Sequence, residues 1–160
     1  MPFYAGTMPR VLVVLPTGSY RTSDFVAAAQ ALGGELALPS DEPPPPHLGE
    51  RFVHVSCDDD ETSAAAIANL AATTPIDAII AADDAGVVMA AKAAAVLGLP
   101  HNAPPAAAAT RDKAAMRVLL DAAEVPQPEF AVLADDDDPA AVVARFEGPV
   151  AIKPTGLSAS

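Results

Sequence analysis

A chain of 160 residues suits one domain of ordinary size, or one complete domain with the beginning of another. Twenty-one acidic side chains against nine basic ones leave a formal charge of −12, which argues against nucleic acid or an anionic membrane as the main partner. The single cysteine, Cys57, cannot close an internal disulfide and has no companion at metal-ligand spacing, so it reads as a buried small hydrophobe in a reducing, cytoplasmic setting.

The apolar share is 51%, much of it alanine, with no Trp, so the core is expected from Val, Ile, Leu and Ala packed between layers. Val11-Leu-Val-Val-Leu15 is a continuous apolar run that reads as a strand buried on both faces. Pro16 ends it well short of a signal sequence or membrane span. Thr22-Ser23-Asp24 offers helix caps, and Phe25, Val26, Ala29 and Leu32 recur at helical spacing until Gly33-Gly34. Glu35 to Leu38 is a short second strand. Asp41 to His47 holds four consecutive prolines, a stiff excursion read as a surface loop in preference to a ligand for a proline-reading module. Phe52-Val-His-Val55 resumes as a strand, and Asp58 to Thr62 charges and caps a helix over 63–72. Asp77 to Ala82 is a further strand, and a helix over 85–97 closes at Gly98. This alternation predicts an α/β fold, a Rossmann-like parallel sheet with helices on both faces.

Leu99 to Pro105 reads as a linker into a short helical piece. Thr110 then caps a helix with Ala114, Val118, Leu119 and Ala122 on one stripe, and Val125-Pro126 halts it. Phe130 to Leu133 is expected as a strand, 139–146 as a helix started by Asp135 to Asp138, and Val150-Ala-Ile-Lys153 as a final strand. The domain boundary is expected near residue 110.

That last strand carries Lys153 to the mouth of a small, hydroxyl-bearing loop. A strand fixes a lysine stem while the ammonium supplies a compact positive charge, a useful pairing for phosphate. Thr155, Ser158 and Ser160, with the amides around Gly156, offer hydrogen bonds to phosphoryl oxygens. The Walker arrangement does not apply, because here the lysine precedes the glycine. Nor does Pro16-Thr-Gly-Ser-Tyr-Arg21 supply the three spaced glycines of a dinucleotide site, which argues against NAD. Arg21 is either a bidentate clamp for a substrate carboxylate or a surface arginine on a capped loop. Asp83-Asp84 is read as helix capping, and 135–138 as a solvated helix start without the spacing of a calcium loop. His47, His54 and His101 lie in separate elements, so no metal ligand is assigned.

Three segments taken together add what spacing alone does not. The run from Arg111-Asp-Lys113 to Val125-Pro126, then Phe130-Ala-Val, then Gly148-Pro-Val-Ala-Ile-Lys153-Pro, resembles the start of the ATP-grasp domain of carboxylate ligases, such as biotin carboxylase, carbamoyl-phosphate synthetase and the amino-acid ligases. Residues 1–110 resemble, by architecture, the Rossmann-like domain that precedes ATP-grasp in those enzymes, down to the closing Leu97-Gly-Leu-Pro100. Residues 111–160 would then be the incomplete first part of the ATP-grasp α+β domain. The resemblance implies that Lys113 and Lys153 contact ATP, and that 155–160 begins the loop that closes over the phosphates. That loop is usually richer in glycine than this one. The resemblance further implies a carboxylate-amine or carboxylate-thiol ligation through an acyl phosphate, with ATP and Mg2+ as cofactors, a small carboxylate as partner and room for a homodimer. The magnesium ligands are expected downstream of residue 160, and the 160 residues alone are expected to be inactive. The competing expectation is a non-catalytic Rossmann-like nucleotide-binding or regulatory module.

Overall fold

Every strand of the sheet runs parallel to its neighbours, in the order β3-β2-β1-β4. These strands are β1 (Arg10–Val14), β2 (Glu35–Ser40), β3 (Phe52–His54) and β4 (Ala78–Ala81). The structure, a computed structural model, describes residues 9–14, 22–32, 35–40, 52–56 and 59–156. The proline run 43–46, Cys57 and His47 lie outside them. The chain divides into two compact units, Met1–Ala107 and Ala108–Ser160.

In the first unit the chain alternates as its sequence predicts. Helix α1 (Thr22–Leu32) joins β1 to β2, α2 (Asp60–Thr73) joins β3 to β4, and α3 (Val87–Leu97) follows β4. The steps from β1 to β2 and from β3 to β4 run in opposite directions across the sheet, and right-handed crossovers then place α1 and α2 on opposite faces. Side chains alternate along a strand. Leu12 and Val14 enter the core formed with Ala64 and Ile67 of α2 and Met89, Ala90 and Ala93 of α3, while the equally buried Val13 points the other way. This explains the unbroken apolar run: a central parallel strand is covered on both sides.

Strand β2 runs two residues further than its sequence suggested, through Pro39 to Ser40. Proline cannot donate to a ladder. It is accommodated because, among the described residues, β1 pairs with 35–37 and residues 38–40 have β3 as their one ladder neighbour.

The ends of these elements are fixed by polar groups. Arg10 and Asp77 lock the start of β1 to the start of β4: the Arg10 amide donates to Asp77 Oδ2 at 2.7 Å, and the Asp77 amide donates back to the Arg10 carbonyl at 2.9 Å. Asp59 caps α2 by accepting the Thr62 amide at 3.0 Å. The hydrogen bonds from Thr62 hold the Asp59 carboxyl below its ordinary pKa. Lys92 of α3 donates to Glu61 of α2 at 2.7 Å, and that bond raises the ammonium's pKa against the opposing pull of desolvation. Gly98 ends α3 in the left-handed conformation at φ 66°, as its position after the last apolar residue predicted.

The second unit departs further from expectation. Helix α4 (Pro104–Arg111) spans the division between the units and leads into α5 (Lys113–Ala122), and α6 is the short Pro139–Val143. Neither 130–133 nor 150–153 forms a strand. A strand exists only as a partner in a ladder, and neither segment has a ladder partner among the described residues. The stripe on α5 stays open, with Val118 and Leu119 about half exposed and no residue of the helix fully buried. A unit of about fifty residues has little interior in which to hide such a face.

Candidate functional site

Helix α5 begins at Asp112, not at Thr110. Asp112 takes an extended conformation, and its Oδ1 accepts the amides of Ala114 at 2.8 Å and Ala115 at 3.1 Å. Asp is among the best N-cap residues because its short carboxylate reaches the open amides of the first turn. The Asp112-Lys-Ala-Ala order carried that signal, but Thr110 two residues earlier competed with it.

The first amide of the helix, that of Lys113, goes elsewhere. It donates to the carbonyl of Thr155 at 2.9 Å. One backbone bond therefore ties the start of α5 to the segment that carries Lys153, Thr155 and Gly156. Lys113 is half-buried, while Lys153, Thr155 and Gly156 are exposed. A Cβ built on Gly156 would meet nothing within 4 Å, so the backbone there is open to approach. Lys153 reaches this place from the unpaired stretch 150–153, with Ile152 beside it 71% exposed, and not from the strand that its sequence suggested. Ser158, Ser160 and Arg21 lie outside the described residues.

The far end of α5 is closed by a Schellman arrangement. The Glu124 amide donates to the Asp121 carbonyl and the Val125 amide to the Leu120 carbonyl, both at 2.9 Å, with Glu124 in the left-handed region at φ 54°. The helix thus stops before Pro126. Gln127 then binds back to it, donating to the Arg117 carbonyl at 2.9 Å and accepting from Arg117 Nη1 at 3.2 Å. Together these contacts make α5 a rod fixed at both ends.

In the first unit the chain reverses direction between β1 and β4, and the carboxyl ends of parallel strands at such a point are where open α/β sheets gather ligands. The Ala82 amide donates to the Val14 carbonyl at 3.0 Å there. Asp83 accepts the Ala85 amide at 3.1 Å, which is the capping role expected of it, and a single 3-10 turn, Asp84–Gly86, leads into α3. His101 keeps Nδ1 2.8 Å from the Leu99 carbonyl oxygen. Among the described residues no group of three or more His, Cys, Asp or Glu side chains could hold a metal ion.

Comparison with known proteins follows the same lines. Residues 26–101 match the ATP-grasp N-terminal domain. An L-amino acid ligase from Bacillus licheniformis superposes with a TM-score of 0.67 at 19% identity, over 94% of this chain and 38% of its own. A phosphoribosylglycinamide synthetase from Anaerococcus prevotii superposes with a TM-score of 0.61 at 15% identity, over 89% of this chain and 36% of its own. At such identities the likeness is one of fold. The chain spans a little over a third of the length of these structures. No protein with a curated description matches it in sequence. The resemblance to ATP-grasp ligases and the α/β fold class are both borne out.

Proposed function

We propose that this chain is the amino-terminal, ATP-binding portion of an ATP-dependent ligase that joins a carboxylate to an amine or thiol through an acyl phosphate. The observation that carries the reading is the ATP-grasp N-terminal domain match over residues 26–101. The bond from the Lys113 amide to the Thr155 carbonyl supports the location of the nucleotide's phosphates, because it links one of the two lysines to the loop beside the other.

The residues present suit a triphosphate. Lys113 and Lys153, the Thr155 hydroxyl and the open backbone at Gly156 would offer charge and donors, and Ser158 and Ser160 would add further hydroxyls. Transfer of a phosphoryl group depends chiefly on holding the reactants in line and neutralising charge on the equatorial oxygens. Lys153 and Lys113 would serve the second need as positive charges facing the phosphoryl oxygens. The attacking carboxylate would expel ADP and leave an acyl phosphate for the nucleophile to capture. Magnesium, expected with ATP in this chemistry, finds no ligand set among the described residues. Arg21, in the sequence that follows β1, is proposed to hold the substrate carboxylate by a bidentate contact.

Lys153→Ala, made in the gene's full product, tests this assignment. Removing a hydrogen bond to a charged group costs about 1.5–3 kcal/mol, so ATP-dependent product formation should fall roughly 10- to 100-fold. Unchanged turnover overturns the assignment. The 160-residue chain alone is expected to bind nucleotide weakly and to release no ADP; robust ADP release from it would contradict that part of the proposal.

A further inference from the structure

The start of α5 shows how its open amides are spent. The first turn of a helix presents amides with no partner inside the helix, and such a terminus commonly receives an anion. Here that vacancy is already filled. The Ala114 and Ala115 amides are taken by the Asp112 carboxylate, and the Lys113 amide by the Thr155 carbonyl. A phosphate approaching this point meets the Asp112 carboxylate where it would otherwise find amides.

We propose that Asp112 is a positioning residue for the phosphate site: by capping the second and third amides of α5 it leaves the Lys113 amide to Thr155, and so sets the lysine of the helix against the loop that follows Lys153. Two observations join to give this. The extended conformation of Asp112, φ −122° and ψ 108°, is what turns its carboxylate onto the amides ahead of it. The 2.9 Å bond from Lys113 to Thr155 spans forty-two positions of sequence and has no helical substitute. Without the carboxylate, the first turn of α5 would unwind or recruit another acceptor, and the loop would lose its anchor. The functional half of the inference rests on the ligase reading above, and the structural half does not.

The experiment compares Asp112→Ala, Asp112→Asn, Lys113→Ala and Lys153→Ala. Hydrogen exchange at the Lys113 amide is followed in the 160-residue chain, and the ATP dependence of turnover in the gene's full product. Loss of an N-cap shifts a local equilibrium about fivefold. Asp112→Ala should therefore speed exchange at Lys113 and raise the KM for ATP by about that factor, with kcat unchanged. Asn caps as well as Asp without the charge, so Asp112→Asn should restore both readouts. If Asp112→Ala leaves exchange and KM at wild-type values, or if Asp112→Asn fails like Ala, the inference is overturned. If instead Lys113→Ala and Lys153→Ala leave the ATP dependence untouched, the ligase assignment of these lysines falls. The exchange rate in Asp112→Ala then decides the structural claim by itself.

Discussion

Gly86 stands where α3 is launched against the end of β1, and replacing it by alanine measures how closely the two approach. Its backbone, φ −96° and ψ −4°, is open to any residue, so the barrier to substitution is space. A Cβ there would lie 2.4 Å from Val14 Cγ1 and 3.2 Å from Val14 Cβ. Carbon atoms rest at about 3.5–4.0 Å, so the methyl intrudes by roughly an ångström. Val14 has no easy escape, being fully buried and, as a β-branched residue, stiff at χ1. Overpacking of this kind costs about 1–3 kcal/mol. Against that, Gly→Ala removes freedom from the unfolded chain, worth about 0.4–1 kcal/mol where the backbone permits. Gly86→Ala should therefore lose about 1–2 kcal/mol, or roughly 3–6 °C in Tm, read by chemical and thermal denaturation followed by circular dichroism. In a Val14→Ala background the Cγ1 atom is gone, and the same substitution should become neutral or slightly stabilising, a coupling of about 1–3 kcal/mol. A Gly86→Ala protein as stable as wild type, or one equally weakened in both backgrounds, would show the packing argument to be wrong.

Three further outcomes are expected. Ser63, 2% exposed, donates from Oγ to the Ser56 carbonyl and accepts the Ser56 amide, both at 2.9 Å, so Ser63→Ala should lose about 1–3 kcal/mol in denaturant titrations; a neutral result would mean that water replaces the hydroxyl. Glu124→Gly should gain about 1 kcal/mol of stability, since only glycine enters the left-handed region without strain, while Glu124→Ala should gain nothing. Asp59 has a folded pKa below its ordinary 3.8, so its contribution is fully present above that value and fades as pH falls through the lower, folded one. The stability difference between wild type and Asp59→Asn should therefore change below about pH 4 and stay flat above it, and a difference constant across the whole acid range would refute the linkage.

The sheet was readable from sequence because its determinants are local and repeated. Leu12 to Val14 can hide three adjacent apolar side chains only between two layers, and Asp59, Asp83 and Gly98 mark element ends by chemistry that acts within a few residues. Pro39 misled because a proline is admissible in a strand wherever one side lacks a neighbour, and strand neighbours are set by residues far along the chain. The same reason explains 130–133 and 150–153. Phe130, Val132, Val150 and Ile152 are residues that strands favour, yet composition does not supply a ladder partner. At the candidate site, the lysines stood out as charges beside turn residues, and the role of Asp112 was obscured by Thr110, an equally plausible cap. The link from Lys113 to Thr155 was beyond sequence reasoning altogether, since it joins two backbone atoms that any residue types would carry.

The strand order also dictates when this protein can fold as it is made. Strand β1 is central and leaves the ribosome before both its neighbours, one of which is β4, and the Arg10 amide finds its Asp77 partner 67 residues later. Synthesis at about 5–20 residues per second separates the two by roughly 3–13 s. Through that interval Leu12 and Val14 lack both the β4 ladder and the α3 side chains Met89, Ala90 and Ala93 that complete their core. The nascent chain is thus most prone to mispairing before β4 emerges, and synonymous codons that slow translation between β2 and β4 should lower soluble yield without altering a single residue.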